Sequence, residues 1–365
     1  MSHAFRELLK KVGSGTHTHE NLTRAEAADA TRMMLLQEAT PAQIGAFLIS
    51  HRIKRPTGEE LAGMLDAYDE LGPKLPPHHT GSPVMVLGTP YDGRSRTAPV
   101  TPLTALLLAS SGQPVVMHGG DIMPTKYGIP LIHIWQGLGV DWARLSLLQI
   151  QQVFDTTNLG FVYLPQHFPL AHGMVPYRDQ IGKRPPVATM ELMWCPYAGD
   201  ARIVSGFVHP PTETMFQDAH RLRGQECFTT VKGLEGSCDL PRDRTAIIGL
   251  ASSSGFERLL LHPSDYNNAG KEVPLNSLTD LVAQMQEVLQ GKPSPLMQAA
   301  IWNGGFYLWL SGVCPNIESG LAEAESLFIS GKVAQKLQQI STSFNNLQLA
   351  HQGNFKETPE FNKSS

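Results

Sequence analysis

Three helix starts with the same chemical spelling constrain this chain more than any other feature. Thr23 with Glu26, Thr40 with Gln43 and Thr57 with Glu60 each set a hydroxyl three residues ahead of a long acceptor side chain. This is the capping box, in which the threonine oxygen accepts the N3 backbone N–H and the N3 side chain accepts the N–H of the cap. Pro41 follows the second cap at the first helical position, where an N–H would have had no partner anyway. Apolar residues then recur at helical spacing, as in Ile44, Phe47 and Leu48 and in Leu61, Leu65 and Tyr68. Phe5, Leu8, Leu9 and Val12 add a short amphipathic helix that stops at Gly13. A compact helical domain is therefore expected over residues 1–75.

The rhythm changes at Gly72–Pro83, where GPKLPPHHTGSP combines four prolines with glycine and small polar residues, a linker or domain crossing. Beyond it, short apolar runs at Val84–Leu87, Val115–Met117, Phe161–Leu164, Ile203–Val208, Cys227–Val231, Ala246–Leu250 and Leu259–Leu261 read as strands. Helical stretches come between and after them, at Leu103–Ala109, Tyr127–Leu138, Leu278–Leu289, Leu296–Val313 and Leu321–Leu337. Strands alternating with helices predict an α/β sheet. The expected fold is a small N-terminal helical domain plus a larger α/β domain with a central mixed sheet flanked by helices. The α/β part takes residues 76–165 and 201–350, helices from about 166–200 join the helical domain, and 351–365 form a polar, disordered tail.

Composition excludes several classes. No apolar run is long enough to cross a bilayer, and the N-terminus carries no basic segment followed by an apolar stretch, so a cytoplasmic location is the expectation. Cys195, Cys227, Cys238 and Cys314 lack close pairing, which argues against a disulfide scaffold or a structural zinc site and reads as buried thiols. With 29 basic and 33 acidic residues the net charge is −4, so binding to nucleic acid would need a local basic patch. His17, His19, His78 and His79 sit in polar or proline-rich segments without a partner cluster and read as solvated. Trp302 and Trp309, seven apart in a helical stretch, read as one core or dimer face. Ser252–Ser254 before Gly255 could form an anion nest but reads better as a plain loop.

The stretch LTRAEAADATRMMLLQEATPAQIGAFLISHRIKRPTGEELAGMLDAY, with Gln43, Ala46, Phe47 and Leu48 at its centre, resembles the N-terminal helices of anthranilate phosphoribosyltransferases. The likeness continues in order. Gly88-Thr89-Pro90-Tyr91-Asp92-Gly93 stands where that family has a GTGGD phosphate-binding turn, and Met117-His118-Gly119-Gly120 where it has Lys-His-Gly-Asn. Arg178–Arg184 matches R-x-x-[LI]-G-x-R, and Lys232–Gly236 lies at a Gly-Leu-Asp-Glu motif. The resemblance implies magnesium, phosphoribosyl pyrophosphate and an aromatic amine acceptor such as anthranilate, with a homodimer formed through the helical domain. A polyanionic leaving group and an oxocarbenium-like transition state call for backbone N–H groups, cations and metal-holding carboxylates.

Carried onto this chain, the resemblance assigns Asp92 and His118 as catalytic. It gives Gly88, Thr89, Asp92, Gly93, Thr101, His118, Gly119 and Lys126 to phosphoribosyl pyrophosphate, Arg178 and His167 to the acceptor, and Glu235 to the metal, with Asp239 as a candidate second carboxylate. The pattern also departs from the family. Pro90 and Tyr91 replace the glycine pair, Ala98-Pro99-Val100-Thr101 replaces Asn-x-Ser-Thr, Met117 replaces the phosphate lysine, and Glu235-Gly236 replaces an Asp-Glu pair. Proline lacks an N–H, and a bulky residue disfavours positive φ. Each assignment has a plainer reading: a loop cap for Asp92, a core histidine for His118, an ion-pair residue for Arg178. The alternative function is a non-catalytic homologue holding nucleic acid or another polyanion along Arg94, Arg96, Lys126, Arg178, Lys183 and Arg184. A nucleoside enzyme related to the pyrimidine phosphorylases ranks third.

Overall fold

The computed structural model describes residues 2–15, 17–77 and 81–354, with side chains to 347. The chain opens with α1 (His3–Gly13), α2 (Arg24–Leu35), α3 (Pro41–Lys54) and α4 (Gly58–Leu71). All three expected capping boxes form, with both reciprocal bonds at Thr23, Thr40 and Thr57. The cap at α4 does more than start a helix. Glu60 is fully buried and also accepts the Leu22 N–H at 2.9 Å and the Lys54 ammonium at 2.8 Å, tying three helices together. Helices α2 and α4 cross so closely that a Cβ on Gly63 would lie 2.1 Å from the Arg24 carbonyl oxygen and 2.9 Å from the Ala27 Cβ. Gly63→Ala is therefore expected to lower stability by about 1–3 kcal/mol, the usual cost of overpacking, read as a drop in the urea midpoint at unchanged slope.

Next come β1 (Val84–Gly88), α5 (Thr101–Ser110), β2 (Val115–Gly119), α6 (Leu131–Gly137), α7 (Leu147–Thr157) and β3 (Leu159–Tyr163). Four short helices follow, α8 (Leu164–His167), α9 (Pro169–His172), α10 (Val175–Ile181) and α11 (Val187–Met190). The second half of the sheet is β4 (Ala201–Gly206), α12 (Pro210–Leu222), β5 (Phe228–Val231), β6 (Ala246–Ser252) and β7 (Gly255–Leu261). Helices α13 (Leu278–Leu289), α14 (Met297–Leu310), α15 (Ile317–Ile329) and α16 (Lys332–Asn354) complete the chain.

The seven strands run in the order β3-β2-β1-β4-β5-β6-β7. The first five are parallel, with Val86 paired to Val116 on one side and Ile203 on the other, while β6 and β7 are antiparallel. This is the expected mixed sheet. The winding reverses between β1 and β4, and in open α/β sheets the crevice at the carboxyl ends of strands at such a reversal is where ligands bind. Every residue of β1, β2 and β3 is buried. Helices α5 and α14 are buried almost all round, α14 through Trp302, whose Nε1–H donates to the Pro241 carbonyl at 3.1 Å. Trp309, seven residues further along the same face of α14, is half-buried and packs on Phe306.

Some expected boundaries are corrected. The helix expected over Tyr127–Leu138 begins only at Leu131, because Tyr127 is left-handed (φ 49°) and Pro130 supplies the extended entry. The stretch Leu321–Leu337 divides at Gly331, where φ is 75°. Residues 351–354, expected in the tail, continue α16. His78, His79 and residues 355–365 lie outside the described residues. All four cysteines are free, Cys238 and Cys314 buried and Cys195 and Cys227 half-buried. Among the described residues no helix is long and apolar enough to cross a membrane.

Candidate active site

Glycine opens and closes the turn after β1 for two separate reasons. A Cβ on Gly88 would meet the Leu192 carbonyl oxygen at 2.2 Å, and Gly93 has φ 74° with the Gly128–Ile129 backbone 2.6 Å from where its Cβ would be. Between them the turn is tight. The Gly93 N–H donates to the Pro90 carbonyl at 3.1 Å and the Asp92 carbonyl accepts the Gly128 N–H at 2.9 Å. With Pro90 lacking an N–H and that of Gly93 used inside the turn, two donors of a phosphate cradle are lost.

Arg94 then turns inward. It is 4% exposed, and its guanidinium donates to Glu235 Oε1 (3.3 Å), Ser237 Oγ (2.9 Å), Asp239 Oδ2 (3.0 Å) and the Thr97 hydroxyl. Asp239 also accepts the Thr101 hydroxyl at 2.7 Å and the Val100 N–H at 3.0 Å, at the start of α5. The N-terminus of α5, a natural anion site, is thus occupied by the protein's own carboxylate.

Glu235 is left-handed (φ 53°), and the 94–97 segment wraps around it. Its Oε1 accepts the N–H groups of Arg96 (3.0 Å) and Thr97 (2.9 Å), while Oε2 meets the Lys126 ammonium at 2.9 Å and the Ser95 N–H at 3.3 Å. Burial alone would raise this carboxyl. Bonds from Lys126 and the Thr97 N–H, with the charges of Lys126 and Arg94, outweigh that and hold it well below the usual range. A magnesium ion needs several free oxygens. Both oxygens of Glu235 and both of Asp239 are taken by donors, and no cluster of three metal-ligating side chains exists among the described residues. In this arrangement neither carboxylate has an oxygen free for a metal, and the role expected of Glu235 as its ligand requires these donors to be displaced.

The other expected site residues divide in the same way. Asp92 is 7% exposed and its Oδ1 has no hydrogen-bond partner among the described residues. Such a buried acceptor is costly to leave open, so Asp92 remains available to a ligand. Thr89 and Thr101 line a cavity of about 10 Å³ with Gly93, Arg94 and Ser237, room for roughly one water molecule. Gly119 ends β2.

His118 is fully buried, and its Nδ1 is hydrogen-bonded to the Tyr91 hydroxyl at 2.5 Å. Burial lowers it to about 3, so it is neutral near pH 7. The catalytic role expected of it would fall to a neutral, buried ring held by Tyr91.

Arg178 is 2% exposed and forms a buried ion pair with Glu191, to which the Tyr68 hydroxyl also donates at 3.4 Å. Its cation is matched within the chain, and the acceptor carboxylate expected there would have to share it with Glu191. His167, expected at the acceptor, has both nitrogens engaged within the chain: Nδ1 accepts the Tyr163 N–H at 2.9 Å and Nε2–H donates to the Leu145 carbonyl at 2.7 Å. The expected basic groove is not assembled either. Arg94 and Arg178 are buried in ion pairs, Arg96 and Lys183 are exposed, and Arg184 is half-buried.

Sequence reasoning passes over Glu191, the partner of Arg178, and reads Tyr68 only as an apolar helix position; that the Tyr68 hydroxyl meets Glu191 is visible only in three dimensions.

Comparison with known proteins agrees with this architecture. Residues 6–72 match the family model described as "Glycosyl transferase family, helical bundle domain", and residues 84–334 match "Glycosyl transferase family, a/b domain". The anthranilate phosphoribosyltransferase of Acidovorax sp. (strain JS42) is 26% identical over 328 residues, covering 89% of this chain and 94% of that one. That of Polynucleobacter asymbioticus is 26% identical over 324 residues, covering 87% and 93%. Among solved structures, the Saccharomyces cerevisiae anthranilate phosphoribosyltransferase in complex with PRPP and Mg superposes with a TM-score of 0.80 at 18% identity, covering 94% of this chain and 99% of that one. The anthranilate phosphoribosyltransferase of Thermus thermophilus gives 0.76 at 19%, covering 94% and 100%. With both parts of the chain matched and the site at the reversal between β1 and β4, this protein belongs to the glycosyl transferase family that joins a helical bundle to an α/β domain.

Proposed function

We propose that this chain is a phosphoribosyltransferase of the anthranilate type, transferring a phosphoribosyl group from phosphoribosyl pyrophosphate to an aromatic amine such as anthranilate, with altered site motifs. The observation that carries the reading is convergence. Thr89, Asp92 and Gly93 from the turn after β1, Thr101 from α5, and Lys126 from the loop after β2 meet at the carboxyl edge where the strand order reverses. Asp92 Oδ1, buried and unpartnered, suits a ribose hydroxyl. Arg94 and Lys126 carry the charge that a leaving pyrophosphate requires, once Glu235 releases them. The family relatives named above support the donor and acceptor classes. Four free cysteines suit a reducing, cytoplasmic setting, and a homodimer through the helical domain remains part of the proposal.

A specific observation favours a second reading, a homologue without catalysis, whose polyanion would meet only the exposed Arg96 and Lys183 of the expected groove. Glu235, Asp239 and Arg178 are all satisfied within the protein. Titration calorimetry with phosphoribosyl pyrophosphate, with and without magnesium, separates the two. Saturable binding, followed by product formation with an aromatic amine, supports the transferase; absence of binding at millimolar ligand ends that reading. Single-stranded DNA binding that weakens steeply with salt then supports the second.

A further inference from the structure

The serine-rich turn between β6 and β7 takes no part in the crevice between β1 and β4, yet it borders a cavity of about 440 Å³, within the size range of small-molecule sites. Leu250 pairs with Thr229 on one side and Glu257 on the other, and residues directly opposite share a face of the sheet. Arg202 reaches the same face, since its guanidinium donates to the Thr229 hydroxyl. Trp309 and Leu310, from the last turn of α14, line the cavity opposite Arg202, Leu250 and Glu257.

Arg202 is half-buried, and its guanidinium donates to the Thr229 hydroxyl at 3.4 Å and the Cys227 sulfur at 3.2 Å. Neither partner is a carboxylate, and Arg202 forms no ion pair among the described residues. By contrast Arg94, Arg178 and Arg223, buried or partly buried, each hold a carboxylate. Glu257 borders the same cavity but cannot serve. Strands β5 and β6 stand between it and Arg202, so their backbones are three strand spacings apart, about 14 Å. A partly desolvated guanidinium without a counter-ion, beside an apolar wall, is suited to a carboxylate from solution.

We propose that this cavity binds a small organic acid, a single carboxylate on an apolar, ring-sized body. The carboxylate takes the open N–H groups of Arg202, and the body lies against Leu250 and Trp309. Glu257 sets the limit at the other side, because a second negative charge on the ligand is repelled there. The site is separate from the transferase reading: Arg202 is near the amino end of β4, and the crevice lies at the carboxyl end.

Cyclohexylacetate is the probe, titrated calorimetrically into the full chain; it is no aromatic amine and cannot be taken for the acceptor. Cyclohexylacetamide, of the same shape without the charge, is the control. Tryptophan emission gives a second signal, since four of the five tryptophans are fully buried and Trp309 alone is half-buried. Wild type is expected to bind the acid saturably with a change in emission, and the amide at least tenfold more weakly. Arg202→Gln should weaken the acid at least tenfold and leave the amide unchanged, a split that a purely structural role would not produce. Should Arg202→Gln not fold, Ser252→Glu, which adds a carboxylate at an exposed position on the cavity rim, is expected to weaken the acid and spare the amide. No saturable binding of the acid at millimolar concentration, equal binding of acid and amide, or undiminished binding by the folded variants overturns the proposal.

Discussion

Replacing Arg94 by methionine is expected to lower the free energy of unfolding by about 3 kcal/mol, near the low end of what breaking a buried ion pair costs. Methionine keeps the length and apolar stem of the side chain but removes the cation between two buried carboxylates. Glu235 keeps Lys126 and its backbone N–H donors, and Asp239 keeps Thr101 and the Val100 N–H. The loss is therefore smaller than for an ion pair with no other support. Urea unfolding measures it as a fall in midpoint. Glu235→Gln in the same background should recover part of the loss, because one of the two buried negative charges that Arg94 balanced is gone. Arg96→Ala is the contrast: its side chain is 77% exposed and 3.7 Å from Glu235, and its removal should change stability by less than about 0.5 kcal/mol. If Arg94→Met is as stable as wild type, the cation is not what holds the 94–97 segment over Glu235.

What is legible in the sequence is local. A capping box spans four residues, and Thr23, Thr40 and Thr57 start helices wherever the rest of the chain packs. The short apolar runs become strands for a related reason, since a parallel sheet buried on both faces leaves few other residue types tolerable. Errors arise where two local signals meet. The apolar spacing from Tyr127 to Leu138 suggests one helix, yet Pro130 and a left-handed Tyr127 set its start at Leu131. The cap at Ser146 with Gln149 has the same spelling as the three at the N-terminus and starts α7, a helix absent from the sequence-based expectation.

The site is legible in place and not in state. Position follows from the order of matching motifs, but whether a charged group faces a ligand or a neighbour depends on partners far away in sequence. Glu235 is paired with Arg94 and Lys126, more than a hundred residues earlier. Arg178 meets Tyr68 only through Glu191. Motif reading assigns a carboxylate to a metal by analogy, and only the packing reveals that cations of the chain already occupy it.

Stability should fall steeply as pH drops from 6.5 toward 4, and buried imidazoles set the slope, His118 and His220 foremost, with His167 also lowered by burial. Burial lowers His118 and His220 to about 3 each, from an ordinary value of 6.5. A histidine depressed in the folded state takes up a proton only on unfolding throughout the interval between the two values. Its stabilising contribution is present in full above the unfolded value, shrinks as pH falls below 6.5, and stops changing below about 3. Inside that window each such ring adds about 1.4 kcal/mol per pH unit to the slope. Glu60, lowered to about 2 from 4.5, adds its own loss only below about pH 4.5, where its folded carboxylate resists a proton that the unfolded chain accepts. The two imidazoles can be separated because His220 is stacked on Phe228 with centroids 4.4 Å apart and its Nε2 has no hydrogen-bond partner among the described residues. His220→Phe preserves the stacked ring and removes one titrating group. Urea unfolding of this variant between about pH 6 and 5 should show a slope shallower than wild type by about 1.4 kcal/mol per pH unit. An unchanged slope would mean that His220 reaches water and protonates without unfolding, and that the α12–β5 contact opens more readily than its burial implies.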